Sequence, residues 1–239
     1  MKHIFQTWKT YDVPEEWKQA QTSIIQMNPT WKYYLFNDHD NLRIVQEYFP
    51  WFEKTYTSFP YDIQRADVIR YMLMYLYGGI YVDLDYIAIK PFDEIPIDKN
   101  TDIVLVKSVN NTLSITNSFM YCLIPQHEFW LLCLKHIHKN STMTYLGKHL
   151  AVHFSTGPYM LHFIYKQYPH KSSISVRNDI ILPCNVCDNY NCKIDKTYFL
   201  KPIMGMSWTA MDTYIYNWVF CNFGLLFLLG FIILIFLVR

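Results

Sequence analysis

Two aspartates, Asp83 and Asp85, stand one residue apart at the end of the apolar stretch GGIYVDLDYI. Carboxylates this close repel each other, and each resists burial unless a positive charge lies beside it. Either both side chains point into water or they share a cation. Paired carboxylate oxygens suit Mg²⁺ or Mn²⁺, which also bind phosphate oxygens. A cation held between this pair and a diphosphate would neutralise the charge that develops as a phosphate leaves.

A second Asp-x-Asp, Asp38-His39-Asp40, follows the stretch TWKYYLFN. Its pattern predicts a polar loop, which gives no geometric reason for metal binding. We expect these two carboxylates to be solvated or to form a turn through Asx hydrogen bonds. The pair at the end of the apolar stretch is therefore the candidate metal site.

The elements that position this pair are the clearest in the chain. DIQRADVIRYMLMYLYGG has apolar residues at helical spacing, and it predicts a helix that Asp62 caps and Gly78 ends. The period then changes from near 3.6 to 2, which predicts a strand. If this strand continues through Leu84, Asp83 and Asp85 lie on one face of it.

The rest of the chain predicts an α/β fold. Strands are predicted at HIFQTW, TWKYYLF, TDIVLVKS and ISVRNDIILP, and helices from near Pro14, over residues 41–48, over HEFWLLCLKHIHK and after Pro158. FPWFEKTYTSFPY and KPIMGMSWTAMD predict loops. In such sheets ligands bind beyond the carboxyl ends of strands. The chain has no internal repeat and no flexible linker, so we expect residues 1–212 to form one domain.

The stretch from Val219 to Val238 has no charged residue. As a helix it would reach roughly 30 Å, the thickness of the hydrocarbon core of a bilayer. Tyr214, Tyr216 and Trp218 lie just before it, where an interfacial aromatic belt is expected. Residues 213–239 therefore predict one C-terminal transmembrane helix and a membrane anchor; the alternative is a buried C-terminal helix.

The side of the membrane stays open. MKHIFQTWKT lacks the apolar core of a signal peptide, which favours insertion after synthesis and a cytosolic domain. Glycosylation sequons at Asn110 and Asn140 point weakly to the lumen. We expect an endomembrane location such as the Golgi or endoplasmic reticulum.

Three of the six cysteines cluster in PCNVCDNYNC, as Cys184, Cys187 and Cys192. They predict either a zinc knuckle or one disulfide with a spare thiol. A local disulfide would fit a luminal domain.

The charges exclude one class of partner. The chain has 21 basic and 20 acidic residues, for a net charge of +1, and it has no long basic run. A nucleic-acid-binding surface is therefore not expected.

Several segments together resemble the glycosyltransferase family with a DXD sugar-binding region, which includes fungal initiating Golgi mannosyltransferases and inositolphosphorylceramide mannosyltransferases. They are IFQTWKT, NPTWKYYLFNDHD, YDIQRADVIRYMLMYLYGGIYVDLD and FSTGP. FSTGP, a late Ser-Trp pair and the C-terminal apolar segment are more similar to the sphingolipid branch. The resemblance implies a Rossmann-like nucleotide-diphospho-sugar transferase fold of GT-A type and a transfer that retains anomeric configuration.

The resemblance also implies roles for residues around the motif. Asp83 and Asp85 match the DXD, the first facing ribose or sugar and the second holding the metal directly or through water. Asp67 and Arg70 match residues that bind donor sugar and phosphate, and their spacing on one helix lets both face one cleft. With the metal, Arg70 would stabilise the leaving charge.

The resemblance extends to both ends of the domain. Trp8 matches an aromatic residue that lies against the nucleotide base. Ser207 and Trp208 match the late pair that closes over the sugar and diphosphate, with Ser207 as a further metal ligand. Family members commonly have a His next, where this chain has Thr209. Asp212 is a candidate replacement for that His.

The predicted function is therefore that of a membrane-anchored glycosyltransferase that depends on Mn²⁺ or Mg²⁺. GDP-mannose is the favoured donor, and a glycolipid such as an inositol-containing sphingolipid, or a glycan, is the acceptor. One alternative is a catalytically silent glycosyltransferase-like membrane scaffold, which Thr209 favours. Another is a D-x-D phosphohydrolase of the haloacid dehalogenase type, which expects Thr or Val in place of Ile87 and a later acidic pair.

Overall fold

The computed structural model describes residues 2–108, 114–140, 147–184, 186–188, 190–205 and 209–223. Its strands are β1 (His3–Thr7), β2 (Lys32–Phe36), β3 (Gly79–Val82), β4 (Tyr86–Ala88), β5 (Ile103–Lys107), β6 (Ile115–Cys122), β7 (Ile174–Arg177) and β8 (Leu200–Pro202). Its helices are α1 (Glu15–Met27), α2 (Asp38–Tyr48), α3 (Glu53–Ser58), α4 (Asp62–Tyr77), α5 (Glu128–Lys139), α6 (Gly147–Ser155), α7 (Pro158–Gln167) and α8 (residues 211–223).

A mixed six-stranded sheet runs through the molecule in the order β2–β1–β3–β6–β5–β7. β1 is parallel to both β2 and β3, whereas β6 is antiparallel to β3 and β5, and β7 is parallel to β5. β4 and β8 form a separate antiparallel pair. The predicted α/β class is confirmed.

β3 is a central strand, and all four of its residues are buried. It approaches β1 so closely that a Cβ on Gly79 would lie 2.5 Å from the carbonyl oxygen of His3. Gly79 also has a φ of 80°, and Gly78, with a φ of 62°, ends α4. Only glycine adopts these conformations without strain, so the Gly-Gly pair joins α4 directly to the central strand.

β3 ends at Val82, so the prediction that the strand continues through both aspartates is wrong. The backbone N–H of Asp83 still donates to the carbonyl of Ser118 at 2.9 Å, and the chain then turns over residues 84–85. Leu84 leaves the alternation because it packs with Val13 and Trp17 in a small apolar cluster. The two aspartates flank this anchored leucine and still line the same cavity.

α4 is fixed against one face of the sheet by the larger apolar core. Tyr71 of this helix stacks on Trp130 of α5, with ring centroids 6.1 Å apart and planes 16° apart. Aromatic pairs of this kind add to the stabilisation from area burial. The helix that carries Asp67 and Arg70 is therefore held rigidly beside the end of β3.

Most local predictions are confirmed, including β1, β2, β5, α1, α4 and α5. The predicted loop at residues 38–40 is instead the first turn of α2, because the side chain of Asn37 accepts from the amide of Asp40 at 2.9 Å and begins the helix. The predicted loop FPWFEKTYTSFPY contains α3, and KPIMGMSWTAMD begins with β8 and ends in α8. β6 and α6 were not predicted.

The cysteine cluster forms disulfides, not a zinc site. Cys184 pairs with Cys192, and Cys187 pairs with Cys221 of α8. Cys122 and Cys133 are buried free thiols. The second disulfide ties the cysteine-rich loop to α8 across 34 residues of sequence.

Over the ranges that the structure describes, no helix is long and apolar enough to cross a membrane. Most of the predicted span, Val219 to Val238, lies outside these ranges. The anchor and the domain boundary at residue 212 stay predictions.

Candidate active site

A cavity of about 690 Å³ opens beyond the carboxyl ends of β1 and β3. The structure brings five predicted site residues together in its lining: Trp8 after β1, Asp67 and Arg70 on α4, and Asp83 and Asp85 after β3. Ser207 and Trp208 lie outside the described residues. The clustering is as expected for ligand binding at the carboxyl edge of such a sheet.

Arg70 is the centre of a buried ionic network. Its Nη2 lies 3.3 Å from Oδ1 of Asp67, and its Nη1 lies 3.1 Å from Oδ1 of Asp83. Nη1 also donates to the carbonyl of Asn117 at 2.9 Å. Burial alone would lower the pKa of Arg70, but Asp83, Tyr81 and Asp67 together raise it. Arg70 therefore stays charged and locks α4 to the turn after β3.

Asp67 is held by partners that sequence reasoning did not find. Asn117 Nδ2 donates to its Oδ1 at 2.9 Å, and Thr156 Oγ1 donates to its Oδ2 at 2.8 Å. Burial raises the pKa of Asp67, whereas Arg70 and these two hydrogen bonds lower it. Thr156 belongs to FSTGP, so this segment holds the carboxylate that orients Arg70. The resemblance was the only signal that marked it.

Asp83 is also fully partnered. Tyr81 Oη donates to its Oδ1 at 2.8 Å, and Gln6 Nε2 donates to its backbone carbonyl at 3.1 Å. Arg70 lies over the ring of Tyr81, 4.8 Å from the centroid. Tyr81 and Gln6 were missed in the sequence, although the alternation of β3 places Tyr81 on the side of Asp83. The first aspartate of the motif is thus rigidly oriented.

Asp85 differs from its neighbour because one of its carboxylate oxygens has no partner. Oδ1 is buried and accepts no hydrogen bond from the described residues. Burial, and then the charge of Asp83, raise the pKa of Asp85 to about 7. Gly205 packs directly on this carboxylate, and a Cβ at that position would overlap it. A buried carboxylate oxygen of this kind is a suitable ligand for a bound cation.

The donor set fits a divalent cation. Asp67 and Asp83 pair with the one guanidinium of Arg70, and Asp85 adds a third carboxylate to the cavity lining. When all three are ionised, they carry two more negative charges than Arg70 offsets. Among the described residues no group of three or more His, Cys, Asp or Glu side chains forms a metal cluster. Mg²⁺ and Mn²⁺ sites of few carboxylates take further oxygens from substrate phosphates. The pair suits a cation that arrives with a phosphorylated ligand.

Trp8 forms the lip of the cavity next to the carboxylates. Its ring meets Trp17 edge to face at 4.8 Å, and Trp17 Nε1 donates to the carbonyl of Met204 at 3.1 Å. Trp8 is only partly buried, and the ammonium of Lys9 lies 5.9 Å from its ring centroid. Its contact with a nucleotide base stays a prediction.

Thr209 stands where family members commonly have a His, and it lines the cavity. Asp212, the candidate replacement, accepts from the amide of His149 at 2.7 Å and from that of Thr213 at 2.9 Å. Both of its oxygens thus accept from backbone amides, and Asp212 is not among the residues that line the cavity, so its role in place of the His stays a prediction. The histidines that line the cavity, His149 and His153, come from α6.

Sequence and fold comparisons agree with this geometry. Residues 14–102 match the family described as glycosyltransferase sugar-binding region containing DXD motif. Among solved structures, the ligand-free glycosyltransferase domain of the YGT toxin superposes with a TM-score of 0.58 at 8% identity, covering 74% of this chain and 80% of that one. The PaToxG glycosyltransferase gives 0.55 at 16% identity, covering 70% of each chain. These likenesses show a GT-A-like glycosyltransferase fold.

Curated relatives are more similar in sequence. Inositol phosphoceramide mannosyltransferase 2 of Schizosaccharomyces pombe is 35% identical over 70% of this chain and 46% of its own length. Mannosyl phosphorylinositol ceramide synthase CSH1 of Saccharomyces cerevisiae is 31% identical over 88% of this chain and 53% of its own length. The chain thus spans about half the length of these relatives. The resemblance predicted from the sequence, to the glycosyltransferase family with a DXD sugar-binding region, is confirmed over residues 14–102 and by these relatives.

Proposed function

We propose that this protein transfers a mannosyl group from a nucleotide-sugar, with GDP-mannose favoured, to an inositol-containing sphingolipid. The observation that carries the proposal is the buried network of Asp67, Arg70 and Asp83 beside the unpartnered oxygen of Asp85. The named activities of the relatives support mannose as the sugar and inositol phosphoceramide as the acceptor class. A protein-linked glycan is the alternative acceptor.

Asp83 and Asp85 would hold Mn²⁺ or Mg²⁺, and Ser207 is the predicted third protein ligand. Such a cation, when bound, neutralises the negative charge that grows on a departing diphosphate. Asp83 is oriented for this task because Arg70 and Tyr81 fix its carboxylate. Asp85 supplies the oxygen that has no other partner in the described part of the chain.

The chemistry requires one bond exchange at the anomeric carbon. The bond from this carbon to the diphosphate oxygen breaks, and a bond to the acceptor oxygen forms on the same face of the sugar. The proton of the acceptor hydroxyl passes to the departing phosphate oxygen, so no carboxylate base is required. Arg70 lies close enough to Asp83 to contribute fixed positive charge at this end of the cavity.

A panel of nucleotide sugars tests the proposal. The full-length protein in detergent with Mn²⁺ is expected to release nucleotide from one donor and to transfer its sugar to inositol phosphoceramide. Equal inertness of wild type and Asp85→Ala toward every donor and acceptor would support the silent scaffold, which Thr209 favours. Release of inorganic phosphate from simple phosphate esters would support the phosphohydrolase.

Gly205→Ala should strongly lower the rate of transfer without unfolding the protein, because the new Cβ would overlap the carboxylate of Asp85. Displacement of one such charged group costs on the order of 10²-fold in rate. Steady-state transfer assays and thermal unfolding measure the two effects. Met204→Ala is the matched control, since its exposed side chain is adjacent in sequence and only its backbone carbonyl binds Trp17. Normal activity of Gly205→Ala would show that the Asp85 carboxylate need not keep this position.

We also propose that the domain resides in an oxidising endomembrane lumen. The disulfides Cys184–Cys192 and Cys187–Cys221 support this, because disulfides persist in such compartments and are rare in the cytosol. The expected result is a protein whose Cys187 and Cys221 resist alkylation until a reductant is added, and whose mobility changes on endoglycosidase treatment. Free thiols at both positions in freshly lysed cells would contradict the proposal.

A further inference from the structure

The cavity has a second wall, formed by α6, the first turn of α7 and α8. Lys148, His153, Tyr159 and Tyr216 line this wall. The disulfide between Cys187 and Cys221 ties α8 to the cysteine-rich loop. The wall faces the same space as Asp83 and Asp85, and the donor contacts assigned above leave it unused.

Four aromatic side chains form a connected group on this wall, here called the ring quartet: His149, His153, Tyr159 and Tyr216. His149 stacks on Tyr216 with centroids 4.6 Å apart and lies 4.4 Å from His153. His153 lies 5.2 Å from Tyr159, whose hydroxyl is 3.5 Å from that of Tyr216. The quartet combines apolar ring faces with hydroxyl and imidazole groups at their edges. This combination suits a cyclic polyol, which has C–H faces and a rim of hydroxyls.

Burial keeps the two histidines of the quartet uncharged at neutral pH. Burial, and then the neighbouring His149, lower the pKa of His153 to about 4, and burial lowers that of His149 as well. The hydrogen bond with Tyr159 is the main cause that raises the pKa of Tyr216 to about 12. These three side chains can therefore hydrogen-bond a ligand without contributing charge to it.

The positive charge of the wall comes from Lys148 in the first turn of α6. Its ammonium lies 5.7 Å from the ring centroid of Tyr61. No carboxylate in the described ranges lies within ion-pairing distance of this ammonium. An anionic group on a ligand would supply the missing counter-charge.

The opposite face of α8 points away from the cavity and is apolar. Met211, Tyr214, Ile215 and Trp218 are between 58% and 74% exposed and recur at helical spacing. This face continues in sequence into the uncharged stretch Val219 to Val238. One side of α8 thus suits a lipid surface, while the other side, with Tyr216, lines the cavity.

We propose that this wall is the acceptor subsite and binds the phosphorylated cyclic polyol headgroup of a membrane lipid, with Lys148 on the phosphate and the ring quartet on the polyol. The inference rests on the glycosyl transfer proposed above. It adds the residues that select the acceptor and the direction from which the acceptor enters. In the proposed function, the donor phosphates lie at the other end of the cavity, next to Asp83 and Asp85.

Kinetics of the full-length protein in vesicles test the assignment. With inositol phosphoceramide as acceptor, Lys148→Met should raise the acceptor KM about tenfold or more, since a charge-assisted contact is lost, and should leave the donor KM within about twofold. Lys148→Arg should restore most of the affinity. Lys166→Met, on the exposed end of α7, is the matched control. An equal rise in the donor KM would overturn the proposal, because it would place Lys148 on the donor.

A binding measurement separates failure of the subsite from failure of the transfer. In the presence of GDP and Mn²⁺, myo-inositol 1-phosphate should bind the wild type about tenfold more tightly than myo-inositol, and Lys148→Met should abolish that preference. This result supports the subsite even if no sugar is transferred. Equal binding of both probes by the wild type refutes it. Free inositol phosphate that accepts sugar as efficiently as the lipid would refute the lipid headgroup as the ligand.

Discussion

Asp85→Asn is expected to lower transferase activity on the order of 10²- to 10³-fold, the size of effect seen when one preorganised electrostatic group is removed. The same change should leave stability equal or higher. Oδ1 of Asp85 is buried without a partner among the described residues, and burial raises the pKa of the group to about 7. An amide of the same shape removes a buried charge that the fold alone does not compensate. Donor kcat/KM and urea unfolding midpoints measure the two effects.

The second Asp-x-Asp of the chain supplies the control. Asp40→Asn alters a carboxylate that caps α2 and accepts from Tyr11, outside the cavity lining. It should cost about 1 kcal/mol of stability through the weakened cap and leave activity within about twofold. Retention of more than half of the activity by Asp85→Asn would remove the basis for a metal at this position.

Arg70→Ala should have the largest effect on stability, about 3–5 kcal/mol in the free energy of unfolding. The side chains of Arg70 and Asp67 are only 5% and 6% exposed, and Arg70 also pairs with Asp83. Removing the guanidinium leaves the buried carboxylate of Asp67 and the partly buried carboxylate of Asp83 without a counter-charge. Transfer activity should fall as well, because Asp83 loses a contact that orients it. Denaturant unfolding followed by fluorescence measures the loss.

The same helix offers a matched comparison. Arg65 pairs with Asp62 at the same spacing as Arg70 with Asp67, but these side chains are 30% and 72% exposed. Arg65→Ala should therefore cost about 1 kcal/mol or less. If Arg70→Ala does not fold, the double variant Arg70→Ala/Asp67→Asn should recover part of the stability, since one uncompensated carboxylate is neutralised. Similar losses for the Arg65 and Arg70 single variants would show that the buried network is not a stabilising unit.

Local sequence determined the parts of the site that depend on one element at a time. The apolar spacing of α4 and the Gly-Gly pair after it define a helix that leads into a central strand. Within α4, Asp67 and Arg70 lie three residues apart, which is enough to predict that they meet. The alternation of period 2 also predicted that Asp83 and Asp85 lie at the end of β3, although the strand ends earlier than this alternation indicated.

The distant partners of these residues came only from the tertiary structure. Asn117 and Thr156 contact Asp67 from 50 and 89 residues away in sequence, and β6, which carries Asn117, was not predicted. Likewise Cys187 meets Cys221, and the ring quartet joins α6 to α8. Residue spacing reports backbone period and the face of one element, because these follow from local dihedral geometry. It does not report which elements become neighbours, since that is decided by the order of strands and the closure of long loops.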